Sequence, residues 1–158
     1  MKIGNGIKLT FCGRLVITGK SSAIPDTYTA FNKTSFPSLN FIIDENTLFS
    51  FDEDTGIFEF FYHGILSISA SINFSTPAQP TKFEVVPCLD SGSGFVELFG
   101  RTSSINTLVS DQIVLVGNIA INKGYKLKFD IRNSTNSAFF DTEILSNGAI
   151  VPAAIVDF

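Results

Sequence analysis

Hydrophobic and polar residues alternate along two long stretches of the chain. In residues 66–75 every even position is apolar and every odd position is Ser or Asn. In residues 125–132 the odd positions are apolar and the even positions are charged. Successive side chains of a β-strand point to opposite faces, so this period of two predicts two strands, each with one buried face.

Other segments are apolar at consecutive positions, which is typical of strands buried on both faces. We expect residues 113–121 and 57–62 to be strands of this kind. Clusters of Gly, Pro, Asn and Asp separate the apolar segments and mark turns, and no convincing amphipathic helix is present. Many short strands with frequent turns predict an all-β fold, an antiparallel two-sheet β-sandwich. Further strands are expected at residues 7–17, 27–31, 48–51, 83–86, 95–99, 138–145 and 150–156.

The length of 158 residues and the hydrophobic content of 44% suit one domain with its own core. We therefore expect a single domain over residues 1–158. Residues 20–46, with Pro25 and Pro37, are the least regular stretch. Residues 1–46 are accordingly interpreted as a first strand and an irregular segment that anchors the domain or covers part of it, and residues 47–158 as the core of the fold.

The charge pattern argues against nucleic acid and membranes as partners. The net charge is −4, and Lys and Arg are scattered rather than gathered into a stripe. No window approaches the roughly 18 uninterrupted apolar residues that a membrane helix needs, so we expect no membrane insertion. Lys8 and Arg14 interrupt the N-terminal apolar stretch, which therefore does not resemble a secretory signal.

Two segments resemble the jelly rolls of the C1q and tumour-necrosis-factor-like superfamily. Residues 51–60 combine an acidic turn, Gly56 and the pair Phe58 and Phe60 before the long alternating strand. Residues 117–129 contain a polar-glycine turn followed by the second alternating strand, after which come a loop of Asn, Ser and Thr at 133–137 and an aromatic segment. The resemblance covers residues 48–158, and it implies a jelly-roll topology.

Proteins of that superfamily are typically homotrimers, and they include secreted animal ligands as well as spike, fibre-tip and head-decoration domains of viruses and phages. The resemblance implies a non-enzymatic virion module, a homotrimeric spike, fibre-tip or capsid-surface protein that assembles in the host cytoplasm. Its expected partners are its own copies, other virion proteins, and a receptor or glycan on the host surface, bound through avidity. Two alternatives stay open: a secreted, extracellular signalling ligand, and a jelly roll that builds a capsid shell or penton.

The strand at residues 57–62 has apolar side chains on both faces, and only one face can fill the core of a sandwich. The other face needs a partner chain or a covering loop, for which residues 20–46 are the alternative. We expect a threefold interface that also uses the uncharged C-terminal segment. Its expected residues are Phe58, Phe60, Tyr62, Ile150, Val151 and Ile155. The expected ligand-contact residues lie in two polar loops and are Thr76, Gln79, Asn133, Thr135 and Asn136.

Residues with catalytic or metal-binding chemistry are few. His63 is the only histidine and no Gly-x-Ser-x-Gly motif accompanies it, so we expect a strand-end residue and no enzyme. Asp44, Asp52 and Asp54 are the candidate ligands of a calcium loop, although a solvated acidic turn is the favoured interpretation and no cofactor is expected.

The two cysteines have no zinc-binding spacing. Cys12 and Cys88 are either bridged or two buried thiols, and the second alternative is favoured.

Overall fold

The computed structural model describes residues 11–75, 81–98, 102–106, 110–133 and 138–158. Within these ranges the chain forms β-strands and no helix, and none of them holds a helix that could cross a membrane. The strands are β1 (Arg14–Thr18), β2 (Thr29–Ala30), β3 (Asn40–Asp44), β4 (Phe49–Asp52), β5 (Ile57–Phe60), β6 (Gly64–Ser75), β7 (Thr81–Asp90), β8 (Phe95–Glu97), β9 (Thr102–Asn106), β10 (Ser110–Ile121), β11 (Lys126–Asn133), β12 (Phe139–Phe140), β13 (Glu143–Ile144), β14 (Ile150–Val151) and β15 (Ala154–Asp157).

Two antiparallel sheets face each other. The first sheet has the order β10-β6-β15-β1-β3, with β12 beside β6. The second sheet has the order β4-β5-β11-β7-β8, with β2 beside β11 and β9 beside β7. The chain passes from one sheet to the other between β5 and β6, β6 and β7, and β10 and β11, while β1 pairs with β15. The predicted all-β antiparallel sandwich is confirmed.

The alternating segments form the strands that their pattern predicts. In β6 the apolar even positions are buried and the polar odd positions face outward, and β11 buries Leu127, Phe129 and Ile131. Phenylalanine rings fill much of the space between the sheets. Phe49 and Phe158 both contact Phe58 edge-on, with ring centroids 5.0 Å from it, while Phe74 stacks on Phe83 at 4.3 Å. Such pairs add about 0.5–1.5 kcal/mol each to the area they bury.

The two continuously apolar segments are not buried on both faces, contrary to the prediction. In β5, Phe58 and Phe60 are 1% exposed whereas Glu59 is exposed; in β10, Ile113 is buried whereas Val114 is exposed. A two-layer sandwich covers only the inner face of each sheet, so alternate side chains of every strand stay outside. Phe58 and Phe60 were therefore wrongly assigned to a trimer interface, because they already fill the core of their own chain.

The N-terminal segment is part of the sandwich. β1 lies between β15 and β3 in the first sheet, and β2 pairs with β11 in the second. Three of its apolar side chains, Phe31, Phe36 and Leu39, are buried in the common core. Residues 14–44 thus contribute strands to both sheets.

Candidate functional site

The outer face of the first sheet, the side turned away from the second sheet, carries a row of apolar side chains. Cross-strand pairing aligns Val114 with Ser71, Ser71 with Ile155, Ile155 with Val16, and Val16 with Ile42. Val114 is 54% exposed and Ile42 is 52% exposed. We call these five aligned residues, four apolar side chains and the small Ser71 between them, the apolar band. It runs across the sheet from β10 to β3.

Polar groups beside the band satisfy one another. Ser67 donates its hydroxyl to Asn118 Oδ1 at 2.8 Å, and Gln112 Nε2 donates to Ser71 Oγ at 2.5 Å. In the next cross-strand row, Arg14 Nε donates to Asp157 Oδ1 at 2.6 Å, and this hydrogen bond raises the pKa of the Arg14 guanidinium. Since the Ser67–Asn118 and Gln112–Ser71 pairs already satisfy one another, they lose little when they are covered, whereas covering the ion pair of Arg14 and Asp157 would cost desolvation energy.

Val116 extends the apolar surface on the same side of β10. It is 72% exposed, the highest exposure of the valines on this face. Exposed apolar side chains that line up over several strands mark an interaction surface more often than scattered ones do.

The outer face of the second sheet is charged and internally paired. Glu84 lies between Lys82 and Arg132, with N–O distances of 3.2 and 3.3 Å, and Tyr28 donates its hydroxyl to Glu84 Oε2 at 2.6 Å. The hydrogen bond from Tyr28 is the main reason that the pKa of Glu84 is lowered. Lys128 Nζ lies 3.4 Å from Oδ1 of Asp130 on the same strand. A partner on this face would have to displace several ion pairs.

A half-open hollow of about 400 Å³ lies where β6 begins and β10 ends. Phe11 and Tyr62 stack at its wall with ring centroids 4.2 Å apart, and His63 and Cys12 also line it. His63 directly precedes β6, the strand-end position that the sequence predicted.

Both cysteines are free thiols. Cys88 is buried as expected, and burial raises the pKa of its thiol to about 11. Cys12 is exposed, which corrects the expectation of two buried thiols.

The acidic loops are a turn held by the neighbouring segment rather than a calcium site. Asn32 Nδ2, Lys33 N and Thr34 Oγ1 donate to the carbonyls of Thr55, Glu53 and Asp54. Asp52 Oδ1 accepts from Asp54 N, whereas Asp44 lies on β3, opposite Arg14 in the first sheet. Calcium needs carboxylate and carbonyl oxygens that converge. Nowhere in the described ranges do three or more acidic, His or Cys side chains form such a group, so the candidate set Asp44, Asp52 and Asp54 is corrected.

The predicted ligand-contact residues are only partly within view. Asn133 is 6% exposed at the end of β11 and offers no contact surface. The prediction that it contacts a ligand is therefore wrong. Thr76, Gln79, Thr135 and Asn136 lie outside the described residues. The strands that flank these two connections are adjacent, because Asn133 pairs with Phe83 and the ring of Phe83 stacks on Phe74. The C-terminal ends of β6 and β11 therefore lie at the same end of the sandwich.

The remaining predicted interface residues lie on the surface or close to it. Tyr62 is exposed at the hollow, Ile155 belongs to the apolar band, and Ile150 and Val151 form β14 of a separate hairpin. Sequence reasoning missed Val114, Val116, Val16 and Ile42. In β10 the outward-facing valines alternate with inward-facing Ile and Leu. Because all of these residues are apolar, the hydropathy pattern does not distinguish the two faces.

The sequence matches no protein-family model, and no curated protein matches it. Its fold is similar to solved structures. The Eiger tumour necrosis factor from S. frugiperda superposes with a TM-score of 0.54 at 12% identity, over 93% of this chain and 90% of that chain. The globular domain of the zebrafish complement 1qA protein gives 0.51 at 15% identity, over 92% and 93%. The fold is thus a jelly roll of the C1q and tumour-necrosis-factor type, as predicted. At these identities the similarity shows the fold alone.

Proposed function

We propose that this protein is a non-enzymatic binding module that works as a homotrimer, and that its copies meet through the outer face of the first sheet. The apolar band carries this proposal. It crosses the whole sheet on a face that carries the surface ion pair of Arg14 and Asp157, whereas the opposite face of the molecule carries the ion-pair network of Glu84 and a further pair at Lys128. The threefold order follows from the resemblance to the superfamily.

The energetic case rests on the exposed side chains of the band. Each valine or isoleucine that is fully removed from water contributes about 1.5–3 kcal/mol. Val114, Val116 and Ile42 are more than half exposed in the single chain, and Ser71 between them is small enough to let a neighbouring chain approach. Because about half to three quarters of each of these side chains is exposed, each contributes a corresponding part of that amount toward offsetting the entropy lost on association.

Binding rather than catalysis is supported by where the perturbed groups lie. Within the described ranges, lowered or raised pKa values belong to an ion-pair network, a β-turn, a buried thiol and a surface ion pair. A catalytic centre would instead place such groups together in a cleft. His63 does lie in a hollow. Of the described residues that line this hollow with it, none has a carboxylate side chain and Ser67 is the only serine.

The biological setting that we propose is the surface of a virion, where the module is a spike, fibre-tip or capsid-surface protein that contacts other virion proteins and a host receptor or glycan. Three copies bring three sets of loops to the same end of the trimer, and avidity multiplies a weak single contact. The connections after β6 and β11 supply these loops. The composition, rich in Ser, Thr and Asn with only 16% charged residues, suits such contacts.

A secreted trimeric ligand is the second candidate, and the similarity in fold to a tumour necrosis factor and to a complement 1qA domain favours it. Mass spectrometry of purified particles separates the two settings. Detection of the chain in stoichiometric amount in virions supports the first, and its recovery only from the medium of the producing cells supports the second.

The proposed assembly is tested by light scattering coupled to size-exclusion chromatography. We expect a trimer for the natural sequence and a monomer for Val114→Asp, because a carboxylate placed in the band must be desolvated on association. Val96→Asp is the matched control, since Val96 is a similarly exposed valine on β8 of the second sheet. It is expected to stay trimeric. A monomer for the natural sequence, or a trimer for Val114→Asp with unchanged circular dichroism, contradicts the proposed interface.

A further inference from the structure

The hairpin of β13 and β14, residues 143–151, interrupts what is otherwise one continuous strand of the first sheet. Phe140 pairs with Phe74 of β6, and Ala154 pairs with Ile72, only two positions further along the same strand. Residues 143–152 are therefore looped out of the sheet between two neighbouring registers, since Asp141, Thr142 and Ala153 still pair with the sheet. We call the hairpin at residues 143–151 the arm.

The topology determines to which side the arm leaves. The arm cannot leave within the plane of the sheet, because a strand lies on each side of its base. On one side Asn73 N of β6 donates to the carbonyl of Ala153, and on the other Thr142 N donates to the carbonyl of Gly19, directly after β1. On the inner side, Phe74 and its cross-strand partner Phe140 are at most 1% exposed, so the core is filled. The arm has to leave on the outer side.

A side-chain contact agrees with this direction. The odd positions of β6 face outward, and Asn73 is one of them. Its Nδ2 donates to the carbonyl of Pro152 at 2.7 Å, which holds the base of the arm on the outer side. The arm therefore projects from the same face that carries the apolar band.

The arm carries apolar side chains that its own chain does not cover. Ile150 is 63% exposed and Leu145 is 40% exposed. The turn at its tip is closed by hydrogen bonds from Leu145 N to the carbonyl of Ala149 and from Gly148 N to that of Leu145, so the tip is a defined structure. At about 3.3 Å per residue, the extended part of the arm, residues 143–145, spans roughly 7 Å, and the turn at residues 146–147 lies beyond it.

With the turn at its tip, the arm reaches about as far as the separation at which two sheets pack face to face, about 10 Å. A copy of the chain seated on the apolar band therefore lies alongside the arm and within its reach. We infer that the arm packs Ile150 and Leu145 against the neighbouring copy, an inference that rests on the proposed trimer. The contact is heterologous: the arm of each chain meets a different surface of the next, as in any closed ring of three. A second copy is the fitting occupant because the two apolar surfaces lie on one face of the same molecule.

The test measures how fast a thiol on the arm is modified. Ile150→Cys is made in a Cys12→Ser background, where the remaining Cys88 is buried. This protein is labelled with a maleimide as the trimer. The same protein with Val114→Asp added is labelled as the monomer. We expect labelling in the trimer to be at least about tenfold slower than in the monomer, because the arm is covered only after association. Val96→Cys, in the same two backgrounds, is expected to label at equal rates.

The outcomes separate the arm from the trimer. A trimer in which Ile150→Cys and Leu145→Cys label as fast as they do in the monomer overturns the inference and leaves the proposed assembly intact. A monomer at every concentration, seen in the same samples by light scattering, overturns both. If Ile150→Cys does not assemble, Leu145→Cys provides the measurement. In addition, Ile150→Asp is expected to raise the overall dissociation constant of the trimer about a thousandfold or more, because one buried isoleucine is lost in each of the three chains and each loss contributes about tenfold.

Discussion

Glu84 is a buried carboxylate whose charge is stabilised by three neighbouring side chains. Its side chain is 4% exposed, and it accepts a hydrogen bond from Tyr28 while lying within ion-pair distance of Lys82 and Arg132. These contacts lower the pKa of Glu84 against the opposing effect of its burial. The carboxylate thereby links β7, β11 and the segment before β2 across the outer face of the second sheet.

We predict that Glu84→Gln lowers the free energy of unfolding by about 1–3 kcal/mol near neutral pH, because it removes charge-assisted hydrogen bonds in a buried position. A lowered pKa in the folded state means that the contribution is fully present above the ordinary value of 4.5 and is lost as the pH falls through the folded value. The difference between variant and natural protein should therefore shrink in acid. Urea denaturation at several pH values measures it.

Glu59→Gln is the control for this prediction. Glu59 is an exposed carboxylate on β5 of the same sheet, so its substitution is expected to change stability by less than about 0.5 kcal/mol. Equal effects of Glu59→Gln and Glu84→Gln, or an effect of Glu84→Gln that does not depend on pH, would contradict the role assigned to Glu84.

At the scale of elements, the turn between β4 and β5 depends on a glycine. Gly56 has a φ of 76°, and a Cβ added there would lie 2.5 Å from the carbonyl oxygen of Phe31. The 31–34 segment packs this closely because Lys33 N and the side chains of Asn32 and Thr34 donate hydrogen bonds to the turn. The position of the acidic residues in this turn thus depends on the close contact between the backbone at Gly56 and the carbonyl of Phe31.

We predict that Gly56→Ala destabilises the fold by about 2–4 kcal/mol, from the left-handed backbone conformation and from the clash with Phe31. Gly124→Ala separates the two causes, since Gly124 has a φ of 89° but nothing within 4 Å of an added Cβ. It should cost only about 1–2 kcal/mol. Thermal and urea unfolding of both variants measure the difference, and similar losses for the two would show that the close approach has no consequence.

The elements also show what the sequence could and could not predict. β6 and β11 were predictable because polar and apolar residues alternate in them, and each such alternation defines one buried face. In β10 and β5 the exposed positions are apolar too, so the local pattern could not tell which side faces the core. Residues 138–145 were interpreted as one strand, yet β12 pairs with β6 and β13 pairs with β14. That break is decided by distant pairing partners, which no local pattern reveals.

For the whole molecule, the proposed trimer links folding to association. If the chains separate when they unfold, a tenfold rise in concentration stabilises each chain by two thirds of RT ln 10, about 0.9 kcal/mol. For a protein of this size that corresponds to a rise in Tm of roughly 2–4 °C. We predict such a rise for the natural sequence, measured by calorimetry or circular dichroism over a hundredfold range of concentration under reversible conditions.

The Val114→Asp chain should lose this dependence, because a monomer unfolds without a change in the number of molecules. Its Tm should equal that of the natural protein extrapolated to the dilution at which the trimer dissociates. The Val96→Asp control should keep the slope of the natural sequence, since its substitution lies on the second sheet. A concentration-independent Tm for the natural protein, together with a reversible transition, would mean that the apolar band stays in contact with water and that the jelly roll is stable as a single chain.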